Sequence, residues 1–416
     1  MPVSIPSTLF PVFPSALQMG RELVQGTAPT AFTSIPVKAM TTKPKITWIP
    51  DQALRGSNVE TYQMGQGPLW SELTIPQSPA YGDTLGHPLF SLCGDYTSTG
   101  TAASPASTLN GAVAAGAATI TVASGTGFAA NQWVQVDVGS IAEIVQILSV
   151  ATNVLTLVST TPTRFSHLTG VAITNTAANY THTFSNLNPN SGTGNTGAQP
   201  PSYTFLHRNY LAGSGNDNAD AYLYGHVTQM KLEAKATDFL LWDAMAVAYQ
   251  RTYPPSNIVP AFSTVTAWPA WSSTITLAAG AIYNISDMTV TITRTEDTIT
   301  TLDGSQNPYV FGAGPLKAMF SIDYDAVSNE NALNYALNNT QPALVYSVSN
   351  GLTSPNTVSL SLTAPLAAHQ EAPLAAQKTL WGYKTTGELI ASTSAAGNSG
   401  GYSPLQIVLV NAIPSY

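Results

Sequence analysis

The chain alternates. KITWI (Lys45–Ile49), SELTI (Ser71–Ile75), STITLA (Ser273–Ala278), MTVTITR (Met288–Arg294), VSLSLT (Val358–Thr363) and LQIVLV (Leu405–Val410) set β-branched, aromatic or leucine residues at every second position. Side chains on a strand point to opposite faces in turn, so this period predicts half-buried β-strands. Gly, Pro, Asn and Ser clusters separate the runs and predict turns. One helix stands out, in NENALNYALNN (Asn329–Asn339). There Ala332, Leu333, Ala336 and Leu337 share a face, Ser328 is placed to cap the start, and Asn338–Asn339 end it before Pro342. FLLWDAMAVAY (Phe239–Tyr249) has helix-favouring composition but the length and flanks of a buried strand, which is the preferred reading. In YGDTLGHPLFSL (Tyr81–Leu92), glycine and proline weigh against a helix.

Between about 108 and 174 the strands shorten. ATITV, WVQVDV, AEIVQILSV, VLTLV and GVAIT follow at regular intervals, the pattern of a small β-barrel. TSTGTAASPAST (Thr97–Thr108) precedes this segment and NPNSGTGNTGAQPPS (Asn188–Ser202) follows it, both with linker composition. The segment reads as an insertion.

One peptide returns. YQMGQGPL (Tyr62–Leu69) and YVFGAGPL (Tyr309–Leu316) both fit Tyr-x-x-Gly-x-Gly-Pro-Leu, and each leads into a further strand, WSELTI or KAMFSI. Aligning the two and removing the insertion leaves two copies of about 160–170 residues, an ordinary domain size. The expected organisation is an N-terminal arm at 1–15, a first domain at 16–100 and 176–256, the insertion at 101–175, and a second domain at 257–416. The competing explanation is a turn reached twice by convergence, with proline opening a strand after glycine.

Only 9% of the 416 residues are charged, against 44% hydrophobic. A surface so poor in charge suits a subunit that buries much of it against other copies; secreted β proteins share the composition. The net charge of −8 and the lack of any Lys/Arg run argue against tight phosphate binding. Cys93 is the single cysteine, so no internal disulfide can form. Pro2, Pro6, Pro11 and Pro14 interrupt the start, which has no basic leader, and no apolar stretch is long enough for a membrane helix.

The search for chemistry returns weak candidates. GNSGG (Gly397–Gly401) matches a nucleophile-elbow spacing around Ser399, with His369 upstream, but a strand follows where a helix is required. A glycine-rich turn is the expected role. None of His87, His167, His182, His207, His226 and His369 forms a pair with zinc-site spacing. Asn216, Asp217, Asn218 and Asp220 lack the closing acid of a calcium loop. No catalytic, cofactor-binding or metal site is assigned and no enzyme activity is expected.

Several segments carry a family resemblance: GRELVQGTAP (Gly20–Pro29), LRGSNVE (Leu54–Glu60), YGDTLGHPLFSLCGDY (Tyr81–Tyr96), the insertion, and NENALNYALNNTQPALVYSV (Asn329–Val348). The chain resembles major tail tube proteins of long-tailed bacteriophages. The resemblance implies a mainly β fold, with two tandem tube domains of sandwich or barrel type, each with little helix, plus the inserted small β-barrel. It implies rings stacked into a hollow virion tail, assembled in the host cytoplasm, through which DNA passes without specific binding. Two fused domains imply a trimeric ring with pseudo-sixfold symmetry. Tail terminator, tape measure and tail tip proteins are the implied partners, with no membrane anchor. The rival is a carbohydrate-binding or adhesive surface protein, with Trp268 and Trp271 as sugar-stacking candidates.

Overall fold

The structure, a computed structural model, describes residues 15–416 apart from 54, 57–58, 101–102, 139–140, 160, 176–179, 190–198, 210–217, 254–259, 261, 263–264, 327–331, 353–356 and 378–379. The segment 1–14 of the expected arm and the proposed cap Ser328 lie outside the described residues. The fold is mainly β. The chain begins with β1 (Ser15–Arg21), β2 (Thr33–Ile35), β3 (Thr41–Asp51), β4 (Gln63–Pro79), α1 (Gly86–Cys93) and β5 (Gly94–Thr99). Six short strands follow: β6 (Ala103–Thr108), β7 (Thr119–Thr121), β8 (Trp133–Val136), β9 (Glu143–Ala151), β10 (Val154–Leu157) and β11 (Ala172–Asn175). Then come β12 (Tyr180–Asn186), β13 (Tyr203–Asn209), β14 (Asn218–Lys235), β15 (Leu241–Ala248), β16 (Thr274–Leu277), β17 (Gly280–Ile282), β18 (Ile285–Ile299) and β19 (Val310–Asp325). The last elements are α2 (Ala332–Leu337), β20 (Leu344–Ser349), β21 (Ser359–Ala364), β22 (Ala367–Glu371), β23 (Leu374–Gln377), β24 (Leu380–Leu389) and β25 (Gln406–Asn411).

Two sheets enclose the main core. The long one has twelve strands, and its central run is β3-β4-β15-β14-β18-β19-β24, closed by β22 and β23 along one side of β24. The other is β17-β16-β20-β21-β25-β12-β5. Leu73, Ile75, Met230, Leu232, Ile292, Phe320 and Ile322 of the long sheet join Leu360, Leu362, Ile407 and Leu409 of the other in one buried cluster. Each such side chain contributes about 1.5–3 kcal/mol by leaving water. β1, β2 and β13 extend from the N-terminal half of β14. Buried Glu22 holds them there, accepting from Ser202 Oγ, Thr204 Oγ1 and the Tyr224 N–H at 2.7–2.8 Å.

The strand reading of Phe239–Tyr249 holds, as β15. Two readings need correction. Gly86–Cys93 is helical although glycine and proline argued otherwise. Pro88 stands in the first turn, where a missing N–H costs nothing, and all eight residues are buried, so packing overrides propensity. Gly94 ends the helix at φ 79°, a left-handed conformation that favours glycine. Ala103–Thr108, read as linker, is a strand. It pairs with β11, while the adjoining Leu109 bridges Val122 beside β7. That bridge joins the two ends of the sheet β6-β11-β8-β9-β10-β7 into a barrel with its own core of Ile120, Val134, Val145, Ile147, Leu155 and Ile173.

The recurring peptide builds the same bulge twice. Ile46 pairs with Leu69 and Trp48 with Gln66, so Thr47 stands against Gly67-Pro68. Arg294 pairs with Leu316 and Glu296 with Ala313, so Thr295 stands against Gly314-Pro315. A Cβ at either glycine would come within 3.2 Å of the facing threonine's carbonyl oxygen, which explains both glycines. The likeness extends outward. Ser71 pairs with Ala248 at the end of β15, and Ala318 with Leu389 at the end of β24. β14 bulges at Thr228 against β15, and β22 bulges at Gln370 against β24. The order β3-β4-β15-β14 is thus repeated as β18-β19-β24-β22/β23. In the shorter sheet the pairs β5–β12 and β20–β21 flank β25 in opposite order, so this repeat belongs to the long sheet.

Candidate functional site: the open face and edges of the long sheet

One face of the long sheet covers the core; the other carries charge. Register places Lys43 and Lys45 of β3, Lys231 and Lys235 of β14, Lys317 of β19 and Lys384 of β24 on this second face. The chain has eight lysines, so six of them stand on one surface. Eight acids share it: Glu72, Glu233, Asp243, Asp287, Asp323, Asp325, Glu371 and Glu388. Ion pairs join Lys45 to Glu72 at 2.8 Å, Lys231 to Glu233 at 2.6 Å, Lys317 to Glu388 at 3.3 Å and Lys384 to Asp323 at 3.8 Å. The hydrogen bond to Glu233 holds the Lys231 ammonium above its usual pKa. Burial raises the Asp243 and Asp287 carboxyls, with Lys231 opposing the shift at Asp243. Half-exposed pairs of this kind add little stability. Their effect is on the field: four of the six lysines are paired with a carboxylate and a slight acidic excess remains.

The sheet's two sides are open. Among the described residues β3 pairs only with β4, and β22 and β23 pair only with β24. Pro44 and Pro373 stand on these edges, where a missing N–H discourages promiscuous pairing. Apolar side chains beside the edges remain exposed: Trp48 at 53%, Met64 at 51%, Leu374 at 51% and Trp381 at 62%.

Within the chain, the junction of the two repeats shows what covers such positions. Phe311, which corresponds to Met64, is fully buried. It packs against Tyr224, Tyr249 and His226, with ring centroids 5.5–6.5 Å apart. Glu296, which corresponds to Trp48, lies 3.5 Å from His226 Nδ1. Beside it Arg294 donates to Leu92 O, Cys93 O, Gly314 O and Asn186 Oδ1 at 2.8–3.1 Å, tying α1 to the second Gly-Pro-Leu.

Burial pushes the Glu296 carboxyl from 4.5 up to about 8, with Arg294 pulling the other way. Burial holds the His226 imidazole down at about 4. The folded state therefore keeps a proton on Glu296 that the unfolded chain releases. That contribution is fully present below the ordinary glutamate range and is lost as pH rises to about 8. His226 acts oppositely, costing stability as pH falls from its ordinary range to about 4. Thermal unfolding of Glu296→Gln across pH should match wild type near pH 5 and exceed it at pH 9. At about 1.4 kcal/mol per pKa unit, the gap is on the order of 3 kcal/mol. Parallel curves for the two proteins would remove Glu296 as the cause.

The chemical candidates resolve into structural roles. Ser399 is buried; its hydroxyl donates to Asp95 Oδ2 at 2.7 Å and accepts from the Asn188 N–H. His369 is elsewhere, packed on Phe320 and Tyr335. The GNSGG turn is thus pinned to β5 by Asp95. Cys93 is buried, and burial pushes its thiol up to about 12. His167 is buried in the small barrel between Asp137 (3.1 Å) and Glu143 (2.6 Å). Burial lowers its pKa, but the two carboxylates outweigh it and the net shift is upward. His182 bonds Tyr96 and Asn411, His87 packs on Tyr203 and Tyr416, and His207 stands beside Asp220. Asp220 pairs with Arg251 at 2.6 Å, and no cluster able to hold a metal occurs among the described residues. Trp268 is buried with its N–H on Val358 O and presents no stacking face; Trp271 is 74% exposed.

Sequence reasoning missed the lysine face, Arg294 and Glu296. The alternation Lys231-Leu232-Glu233-Ala234-Lys235 does mark a charged face, but only sheet order unites it with Lys43, Lys317 and Lys384.

The long sheet thus presents one charged face with a slight acidic excess and, among the described residues, two open edges. The phage tail tube protein family matches residues 15–397, and the chain belongs to that family. It is a structural component of the virion tail. No curated protein matches it in sequence. Among the described residues no helix is long and apolar enough to cross a membrane.

Proposed function

We propose that this protein forms the hollow tube of a phage tail, with the charge-paired face of the long sheet lining the lumen. The supporting observation is the long sheet itself: two repeated four-strand units side by side, ending in two open edges. Copies joined edge to edge continue the sheet around a ring, and three chains give six units. The units correspond to tube domains at 16–100 with 176–256 and at 257–416, with 101–175 as an insertion. Rings stack into a conduit for DNA ejection, with terminator, tape measure and tip proteins at its ends. No residue is assigned catalysis.

The lumen must let phosphates slide. Each unpaired lysine would bind phosphate and release counterions, whereas a lysine held by a carboxylate does so weakly. Tubes of the triple variant Glu72→Gln, Glu233→Gln, Glu388→Gln should retain single-stranded DNA in a salt-dependent manner, and wild-type tubes should not. Equal retention by both, read by fluorescence anisotropy, would remove the sliding role.

Negative-stain electron microscopy over a concentration series tests the reading as a whole. Hollow tubes or rings with three-fold or pseudo-six-fold views support it. Dispersed particles at every concentration, including with tail tip complexes as initiator, count against it.

A further inference from the structure

The two repeats meet inside one chain, and that junction is a template for the junction between chains. There β14 pairs with β18: Gln229 with Thr293, Lys231 with Thr291, Glu233 with Thr289. The strand corresponding to β18 is β3, with Ile46 in the place of Arg294, since both open the bulge against a Gly-Pro-Leu leucine. The strands corresponding to β14 are β22 and β23. Their shared bulge puts Glu371 in the place of Gln229, and Leu374, opposite Tyr383, in the place of Leu232, opposite Trp242.

Resting on the tube reading above, we infer that the β3 edge of one copy pairs antiparallel with the β22–β23 edge of the next in one register, with Lys45 opposite Glu371, Thr42 opposite Leu374 and Thr41 opposite Ala375. Three observations made independently of the register agree with it. It brings a cation and a carboxylate face to face. It covers Trp48 and Met64, exposed in the single chain, by seating them where Glu296 and Phe311 sit at the internal junction. It also matches volumes. The neighbour presents Ala368 and Ile390 where the internal junction has His226 and Tyr249, so the larger Trp48 meets smaller side chains.

The hairpin tips follow the same rule. Within the chain, the Leu69 N–H donates to Gln306 O at 2.9 Å, so the tip of the β18–β19 hairpin rests on the first Gly-Pro-Leu. Across the ring, the same rule brings the β3–β4 hairpin to Gly314-Pro315-Leu316 of the adjacent copy.

Engineered cysteines test the register. Facing residues of an antiparallel pair lie about 4.5–5.5 Å apart at Cα, within disulfide reach, whereas a shift of two residues is not. Cys93 is buried and does not interfere. Assembled Thr41→Cys/Ala375→Cys protein, oxidised and run under denaturing conditions, should give a covalent ladder ending at the closed ring. Lys43→Cys/Ala375→Cys, shifted by two on the same face, and each single variant should stay monomeric. Both double variants alter exposed edge positions, and circular dichroism of the reduced proteins verifies their fold. A ladder from the shifted pair alone would overturn the register and leave the ring reading intact. No ladder from either pair, with wild-type rings visible by microscopy, would overturn the meeting of these two edges. Absence of wild-type rings would overturn the tube reading and this register with it.

Discussion

Replacing Arg294 with leucine should destabilise the folded chain by about 4 kcal/mol, since Leu92 O, Gly314 O and Asn186 Oδ1 each lose a donor at about 1–3 kcal/mol with overlapping losses, while Cys93 O keeps the Leu187 N–H. The guanidinium serves four acceptors from three separate elements. Two are the last carbonyls of α1, which the helix cannot satisfy itself. Another is Gly314 O, in the bulge of the second repeat. Leucine approximates the buried volume but donates nothing, so the loss reports hydrogen bonding more than cavity formation. Lysine should recover only part of it, because one ammonium cannot span the fork of sites that a planar guanidinium reaches. Chemical denaturation of the unassembled protein checks both variants. A loss below about 1 kcal/mol for leucine would show that water replaces the guanidinium at this junction.

Trp48→Ala should leave the single chain almost unchanged and cripple assembly. The side chain is half exposed, and substitutions at such positions usually stay within about 0.5 kcal/mol. In the proposed ring it takes the place that Glu296 has at the internal junction. A tryptophan buried at the centre of an interface is worth about 2 kcal/mol or more, so the concentration needed for rings should rise about 30-fold. Sedimentation velocity over a concentration series, read beside thermal unfolding, separates the two effects. An unchanged assembly concentration would place Trp48 outside the contact. The apolar exposure also gives the low charge content a physical sense: six of the eight lysines lie on the charged face of the long sheet, while its open edges are proline-marked and flanked by exposed apolar side chains.

Most strands could be read from period alone, because a strand with one face on the core must alternate. β4, β18, β21 and β25 are such cases. α1 could not, because its glycine and proline are tolerated only where the first turn needs no N–H and where the burial of all eight residues compensates. β6 has the composition of a linker and becomes a strand because β11 and the bridge beside β7 require it. The charged face was half visible: each lysine occupies an off-core position of its own strand. That β3, β14, β19 and β24 turn those positions to one surface depends on sheet order, which joins residues nearly two hundred positions apart. The repeated YQMGQGPL was the most informative peptide. Its meaning lies in the bulge, where glycine lets a threonine carbonyl approach, and local sequence does not reveal which threonine.

The small barrel leaves and rejoins the body at a single place. Thr99 at the end of β5 pairs with Thr181 at the start of β12, so the chain on either side is already held together by the host sheet. The barrel closes on itself through Leu109 and Val122 and, among the described residues, borrows no strand from its host. A loop anchored at adjacent points costs little more when lengthened, since closure entropy grows only as the logarithm of its length. β5 is also the outermost strand of the sheet on the far side of the core from the charged face. The position therefore works as a socket: a folded module can be fitted, exchanged or removed there without touching the strand pairing of the long sheet.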